Sequence, residues 1–235
     1  MHKITLISTI HSEKGQCNSD ELYKIIASIN PEVIFEELPP NYSDMYYSNS
    51  FDMHCANNIL LNRRPPVVPL EVKCIKRYKE NYNIKIFPVD VDVTQKLSKY
   101  QDEIYFLFLT FFKYENYKIL NNEKEALLLQ EGFHFLNSRK FLDFLNKKEA
   151  LEKNIIKSEI QKNRLQNIYK LFHAEQYDSR ENAMLNNIYN YSEESQYDQA
   201  VFLIGAEHKK SIMQKITEYV KRSDIKLNWT MYGNK

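Results

Sequence analysis

Ionisable side chains follow four separate apolar stretches of this chain. His11 follows residues 4–7, Glu36 and Glu37 lie within 33–38, Asp90 follows 84–89, and Glu207 and His208 follow 201–204. Two histidines together with carboxylates are a ligand set that can hold a divalent metal with one open coordination position. Such a metal lowers the pKa of a bound water to about 7 and so makes a nucleophile at neutral pH. The pattern predicts a hydrolytic metal site, and the alternative is that these are ordinary polar loops.

The apolar stretches are typical of buried strands joined by helices. Strands are predicted at 4–7, 33–38, 84–89, 201–204 and 225–229, with amphipathic helices after the first, before the third and after the fourth. Asn18 with Glu21 indicates the start of the first helix, and Asn30 before Pro31 indicates its end. Strand–helix–strand units this short predict an α/β fold with a mostly parallel central sheet flanked by helices. The ionisable residues would then meet at the carboxyl edge of that sheet, where such folds bind ligands.

The middle of the chain has a helical pattern of apolar residues rather than alternating strands and helices. From 94 to 177 the apolar residues recur at helical spacing and no strand is predicted, so this stretch is interpreted as a long all-helical insertion or lid. Residues 1–93 and 178–235 would form the α/β core with the site. The segment 39–66 is rich in Asn, Ser, Tyr and Pro and is expected to contain much loop, and Asp178 with Glu181 predicts a helix start.

Composition excludes several function classes. The chain has 235 residues with 32 Lys+Arg and 31 Asp+Glu, a net charge of +1 that argues against a nucleic-acid partner. Only four glycines occur, none close together, so the glycine-rich dinucleotide and phosphate loops are absent. Three cysteines without a C-x-x-C spacing suit a reducing compartment, and no apolar run approaches a membrane span. We therefore expect a cytoplasmic protein without a membrane partner.

Several short motifs resemble those of the TraB/PrgY–Tiki family, relatives of the erythromycin-esterase and ChaN-like proteins. Residues 8–11 (STIH) resemble the family's G-T-x-H, 31–38 (PEVIFEEL) its P-D-V-V-x-x-E-L, 180–184 (RENAM) its R-D-x-x-M, 201–212 (VFLIGAEHKKSI) its V-V-G-A-G-H-x-x-G-I, and 90–92 (DVD) more loosely its D-R-D. The order agrees over most of the chain. Ser8, Val91, Glu181 and Glu207 depart from the motifs.

The resemblance implies a shared α/β core and a metal-dependent peptide hydrolase, an esterase, or a haem-binding protein, according to the branch. It places the family glutamate on Glu37 rather than Glu36. His11 and His208 would ligate a divalent metal (Mn, Zn or Co), and Glu37 would be a third ligand or the base. Arg180 is expected in the first turn of a helix, where a cation is unfavourable unless it serves a carboxylate or a substrate oxyanion.

Plainer interpretations of the same residues remain open at this stage. His208 could cap the following helix, both glutamates could lie in solvent beyond the strand, and Arg180 could form a surface salt bridge. Glu181 reads as a capping residue with a possible second role, and Gly205 would allow close approach of a ligand. His54, His134 and His173 have no supporting spacing.

The functional prediction is a hydrolase of peptide or ester bonds, acting on a small-molecule or peptide substrate. One alternative is a non-catalytic haem- or small-ligand-binding protein on the same fold. Another is an interaction protein that acts through the helical insertion.

Overall fold

A five-stranded, all-parallel sheet lies at the centre of the computed structural model, which describes residues 2–61 and 67–233. The strands are β1 (Lys3–Thr9), β2 (Val33–Glu36), β3 (Lys85–Pro88), β4 (Gln199–Gly205) and β5 (Asn228–Met231). The predicted α/β class, with helices flanking a parallel sheet, is confirmed. The first four strands fall on the predicted apolar runs, and β5 begins three residues later than its predicted run.

The strand order β3-β2-β4-β1-β5 puts both ends of the chain beside one another. β1 and β4 are neighbours with Thr9 opposite Gly205, and β2 and β4 are neighbours with Glu36 opposite Leu203. The chain leaves β2 toward β3 at one side of the sheet and leaves β4 toward β5 at the other. Adjacent strands whose connections diverge in this way open a crevice at their carboxyl ends.

Four helices accompany the first half of the sheet: α1 (Ser19–Ile29), α2 (Pro40–Tyr46), α3 (Asn49–Leu60) and α4 (Leu70–Asn81). In α1 the Asn18 side chain accepts from the Glu21 N–H, and Asn30 ends the helix with a left-handed φ of 52°, as the sequence predicts. The expectation of much loop over 39–66 is wrong for the part described, because α2 and α3 occupy most of it. Pro40 stands in the first turn of α2, where its fixed φ favours a helix start. Residues 62–66 lie outside the described residues.

Between β3 and β4 the chain is helical: α5 (Thr94–Ser98), α6 (Gln101–Phe112), α7 (Glu115–Glu131), α8 (Phe133–Leu136), α9 (Arg139–Ser158), α10 (Lys162–His173) and α11 (Arg180–Glu194). A π-helical segment, Ala174–Ser179, joins α10 directly to α11. The predicted helix start at Asp178 is therefore wrong, and Arg180 does not lie at a free helix N-terminus. A 3₁₀ turn, Ala206–His208, leads from β4 into α12 (Lys209–Arg222).

The core has three parts. One face of the sheet packs on α1, α4 and α7–α9 through a cluster that includes Ile7, Tyr78 and Phe135, and the other face packs on α11 and α12. A third cluster around Phe111 and Tyr169 joins α6, α7, α9 and α10 to each other. The division into a core and an insertion at 94–177 stays a prediction, although α8 and α9 of that stretch cover the sheet directly.

Within the described ranges, no helix combines the length and the apolar character that crossing a membrane requires.

Candidate active site at the carboxyl edge of the sheet

The strand register places the predicted site residues around one point. Glu37 follows the last residue of β2, His11 lies two residues beyond β1, and His208 lies three residues beyond β4. Because these strands are parallel neighbours, the three side chains emerge at the same edge of the sheet. They line one cavity of about 340 Å³ together with Arg180.

His208 is buried, with only 4% of its surface exposed, and carboxylates contact both ring nitrogens. Its Nδ1 donates to Glu181 Oε1 at 2.8 Å, and its Nε2 lies 3.3 Å from Glu37 Oε1. Burial lowers the pKa of His208, but the hydrogen bonds with Glu181 and Glu37 outweigh it and raise that pKa to about 9. The helix-cap interpretation is wrong, since this side chain makes no cap hydrogen bond.

Glu181 is the least exposed carboxylate of this network. Besides His208, it accepts a hydrogen bond from Ser211 Oγ at 2.5 Å and one from Lys215 Nζ at 2.6 Å. The residue lies in α11 beyond the π-helical segment, so it is not a helix-capping residue. Its position is that of an orienting partner which fixes the ring and the tautomer of His208.

Glu37 is a carboxylate with a donor on each oxygen. Arg180 Nη2 donates to its Oε1 at 2.6 Å, and the backbone N–H of Gly205 donates to its Oε2. Burial raises the pKa of Glu37, but His208, Arg180 and the Gly205 N–H outweigh it and hold that pKa at about 2. A carboxylate held this way stays ionised at neutral pH.

Arg180 bridges Glu37 and Asp90. Its Nε lies 3.1 Å from both carboxylate oxygens of Asp90, and its Nη2 donates to Asp90 Oδ2 at 2.6 Å. These partners are 6% and 3% exposed, so the surface salt bridge considered from the sequence is not what forms. The remaining group, Nη1, has only long contacts, 3.4 Å to His208 Nε2 and 3.5 Å to the Gln176 carbonyl.

His11 makes a second pairing of imidazole and carboxylate. Its Nδ1 lies 3.4 Å from Glu71 Oε1, which also accepts from the Thr9 hydroxyl at 2.6 Å. The hydrogen bond with Glu71 raises the pKa of His11 above its ordinary 6.5. Its Nε2 and the Glu37 carboxylate both lie next to Gly205: a Cβ placed on Gly205 would lie 3.8 Å from that nitrogen and 3.1 Å from Glu37 Oε2.

The other predicted pocket residues are distributed around this centre. Glu36 turns away from the cavity and accepts from Ser43 and Tyr47. Burial raises the pKa of Glu36, and these two hydrogen bonds only partly offset the effect. Glu207 lines the cavity but pairs with Lys148, at 2.7 Å.

The donor types and their orientation fit a divalent metal. Both histidines have Nδ1 facing a carboxylate, as metal-ligating histidines usually do, and His208 Nε2 faces Glu37. The spacing fits less well: among residues 2–61 and 67–233 no three His, Cys, Asp or Glu side chains form a group spaced for one ion. Arg180 also already supplies a cation to Glu37.

Three residues of the region were missed from the sequence or given no role there. Glu71 lies in the first turn of α4, where a glutamate is common and signals nothing by itself. The Tyr177 ring packs at a tilt against His208, with 5.0 Å between ring centroids, and at the same distance against His173. Tyr177 and His173 could have been found from the sequence, because they precede Arg180 by three and seven residues and so lie on the same side of a helix.

In comparisons with known proteins, no protein-family model matches the chain and no curated protein is significantly similar to it. The resemblance to the TraB/PrgY–Tiki family therefore rests on the short motifs themselves.

Proposed function

We propose that this chain is a hydrolase that cleaves an ester or peptide bond in the cavity formed by His11, Glu37 and His208. The observation that carries the proposal is a pair of carboxylate–histidine contacts beside the buried carboxylate of Glu37. These contacts are Glu71 with His11 and Glu181 with His208. Hydrolysis needs a base for water, an acid for the leaving group and a donor for the oxyanion. Each of these can be assigned to a residue of this cavity.

His11 is the proposed base. Its side chain is 64% exposed, so a water in the cavity can reach it, and Glu71 faces Nδ1 and leaves Nε2 available. In its neutral form His11 takes a proton from water as the oxygen attacks the carbonyl carbon.

Arg180 is the proposed electrostatic stabiliser. Glu37 and Asp90 fix its Nε and Nη2, so the guanidinium plane is held rigidly. Among the described residues its Nη1 group makes only the two long contacts, and Arg180 lines the cavity, so this group can donate to an oxyanion without first losing a good partner.

A divalent metal (Mn, Zn or Co) is the part of the proposal taken from the motifs. His11 and His208 would hold it, and Glu37 would be a third ligand or the base in place of His11, whose Nε2 would then be on the metal. When bound, such an ion would supply Lewis acidity to the carbonyl and to water. His208 would have to be neutral to ligate it.

A metal-free version of the same reaction is favoured by Arg180 and by the charge on His208. Arg180 Nη2 already occupies Glu37 Oε1, and His208 lies between two carboxylates that keep it protonated. In this version His208 gives its Nε2 proton to the leaving oxygen or nitrogen as the bond breaks, and water supplies the hydroxyl to the acyl product.

Hydrolysis of 4-nitrophenyl acetate and of a fluorogenic peptide library tests the proposal. We expect turnover that falls about 100-fold or more in His11→Ala, with the exposed His134→Ala as matched control. Loss of activity on chelation and its return with Mn²⁺, Zn²⁺ or Co²⁺ would support the metal version, and activity that survives chelation would support the metal-free version. No turnover of any substrate, with and without metal, would overturn the proposal.

The carrier alternative has a distinct signature. A haem iron would have to displace Glu37 or Glu181 from His208, because carboxylates contact both ring nitrogens of that residue. Titration with hemin, followed by Soret absorbance in wild type and His11→Ala, tests this alternative separately. The interaction-protein alternative predicts partner capture that does not depend on His11 and His208.

A further inference from the structure

A second cavity, of about 380 Å³, adjoins the one described above. The two share Phe172, Tyr177 and Glu207 as lining residues. Tyr177 belongs to the π-helical segment, a feature that often marks functional positions in helices. The second cavity falls within the volume range of pockets that hold small molecules.

A row of aromatic rings lines the second cavity and ends at His208. Phe108 meets Phe172 edge-on at 5.3 Å, Phe172 meets Tyr177 at 6.0 Å, and Tyr177 meets His208 at 5.0 Å. His173 packs between Tyr169 and Tyr177, at 4.1 and 5.0 Å. Such a wall offers edges and faces to a flat ring.

The principal charges of this cavity are already compensated. Lys148 lies 2.7 Å from Glu207 and 3.7 Å from Glu152, and Glu152 also accepts from the hydroxyls of Tyr117 and Tyr169. Lys210 pairs with Glu149 at 2.5 Å. A charged ligand would have to break one of these pairs, whereas a neutral group needs to break none.

We propose that the second cavity binds a neutral aromatic group of the substrate, while the bond to be cleaved lies beside His11 and His208. This proposal rests on the proposed hydrolase function only in treating the ligand as part of a substrate. Binding to the cavity is measurable without turnover. The substrate class is therefore an ester or amide with a flat, uncharged ring on one side of the scissile bond. Tyr177 would lie beside the point where the two parts of the substrate meet.

Binding of 2-naphthol, a neutral ring product, to the full chain tests the proposal by titration calorimetry and by ¹⁵N shifts around Tyr177. We expect saturable binding that weakens about tenfold in Phe108→Ala, which removes a ring of the wall. Gln214→Trp places a larger side chain in the cavity from an exposed lining position, and it is expected to weaken binding to a similar extent. Phe112→Ala, on the same helix but 49% exposed and outside the cavity, is the matched control.

The outcomes separate the two proposals. Absent binding, equal binding to all variants, or tighter binding of the charged 2-naphthalenesulfonate would overturn the aromatic subsite. Binding of 2-naphthol at the cavity in a protein that hydrolyses nothing would support the subsite and overturn the hydrolase. In an active protein, Phe108→Ala should raise KM for 2-naphthyl acetate about tenfold, whereas the control Phe112→Ala should leave that KM unchanged.

Discussion

The two carboxylate–histidine pairs differ in burial, although the sequence presents their histidines as equivalent. His208 and Glu181 are 4% and 0% exposed, and Lys215 and Ser211 complete the contacts of Glu181. The His11 side chain is 64% exposed and is held only by the longer contact with Glu71. The difference teaches that one imidazole is fixed within the protein interior, whereas the other is open to solvent.

A buried ionic network is costly to break by removing one partner, whereas an exposed pair contributes little to stability and costs little to remove. We therefore expect changes around His208 to be seen first in stability. Changes around His11 should be seen first in catalysis. The following variants test that separation, beginning with the largest expected effect.

Glu181→Gln should cause the largest loss of stability. The amide keeps the size but leaves His208 and Lys215 without their buried partner charge, at a cost of about 3–5 kcal/mol in the free energy of unfolding. Urea denaturation measures this change. Glu193→Gln, at an exposed position of the same helix, should change stability by less than about 0.5 kcal/mol. A loss below about 1 kcal/mol in Glu181→Gln would show that His208 is not anchored by this pair.

The pH dependence of stability should report the charge on His208. In chelator-treated protein the folded pKa is about 9 and the ordinary value is 6.5, so the folded state holds a proton that the unfolded state releases between these values. The stabilisation is complete below pH 6.5 and falls by roughly 3 kcal/mol as the pH rises through 9.

Denaturation at several pH values, with His208→Gln as the comparison, measures this slope. The variant should lose most of the dependence in that interval. A wild-type slope that persists unchanged in His208→Gln would assign the titration to another group.

Glu71→Gln should act on catalysis more than on stability. Without the carboxylate on Nδ1, the pKa of His11 falls and its ring is less well oriented, so kcat should drop about 10- to 100-fold with little change in KM. The free energy of unfolding should change by about 1 kcal/mol. Glu80→Gln, at an exposed position of the same helix, is the matched control. An equal effect of both variants on kcat would show that Glu71 has no role in catalysis.

The sequence predicted the strand ends well because buried parallel strands are continuous apolar runs with polar residues after them. It also directed attention to Glu37 and Arg180. The reason offered for Arg180 was wrong, however, since the π-helical segment removes the helix start that the argument required. Asp178 and Glu181 have the spacing of a helix start, but they lie where one helix continues into the next through the π-helical segment.

Glu71 could not be found from the sequence because its partner, His11, is sixty residues away and its local pattern is that of any helix N-terminus. Packing of α4 on α1 and the sheet, together with the hydrogen bond from Leu70 N–H to the His11 carbonyl, brings Glu71 to this edge. The helices α2 and α3 were missed for a related reason. Their Asn, Ser and Tyr residues favour turns locally, and a weakly apolar face does not reveal a helix.

Gly205→Ala should have the smallest effect and separates the two histidines most directly. The φ of Gly205 is −54°, which alanine adopts without strain, so the free energy of unfolding should change by less than about 1 kcal/mol. The added methyl would lie 3.1 Å from Glu37 Oε2 and 3.8 Å from His11 Nε2, between the carboxylate and the exposed imidazole. We expect kcat to fall by a few fold and the pKa of His208, followed by NMR, to stay at about 9. A fall in that pKa would mean that one shift of Glu37 disturbs both rings. The buried pair of His208 and Glu181 would then depend on the position of Glu37 as strongly as the exposed pair of His11 and Glu71 does.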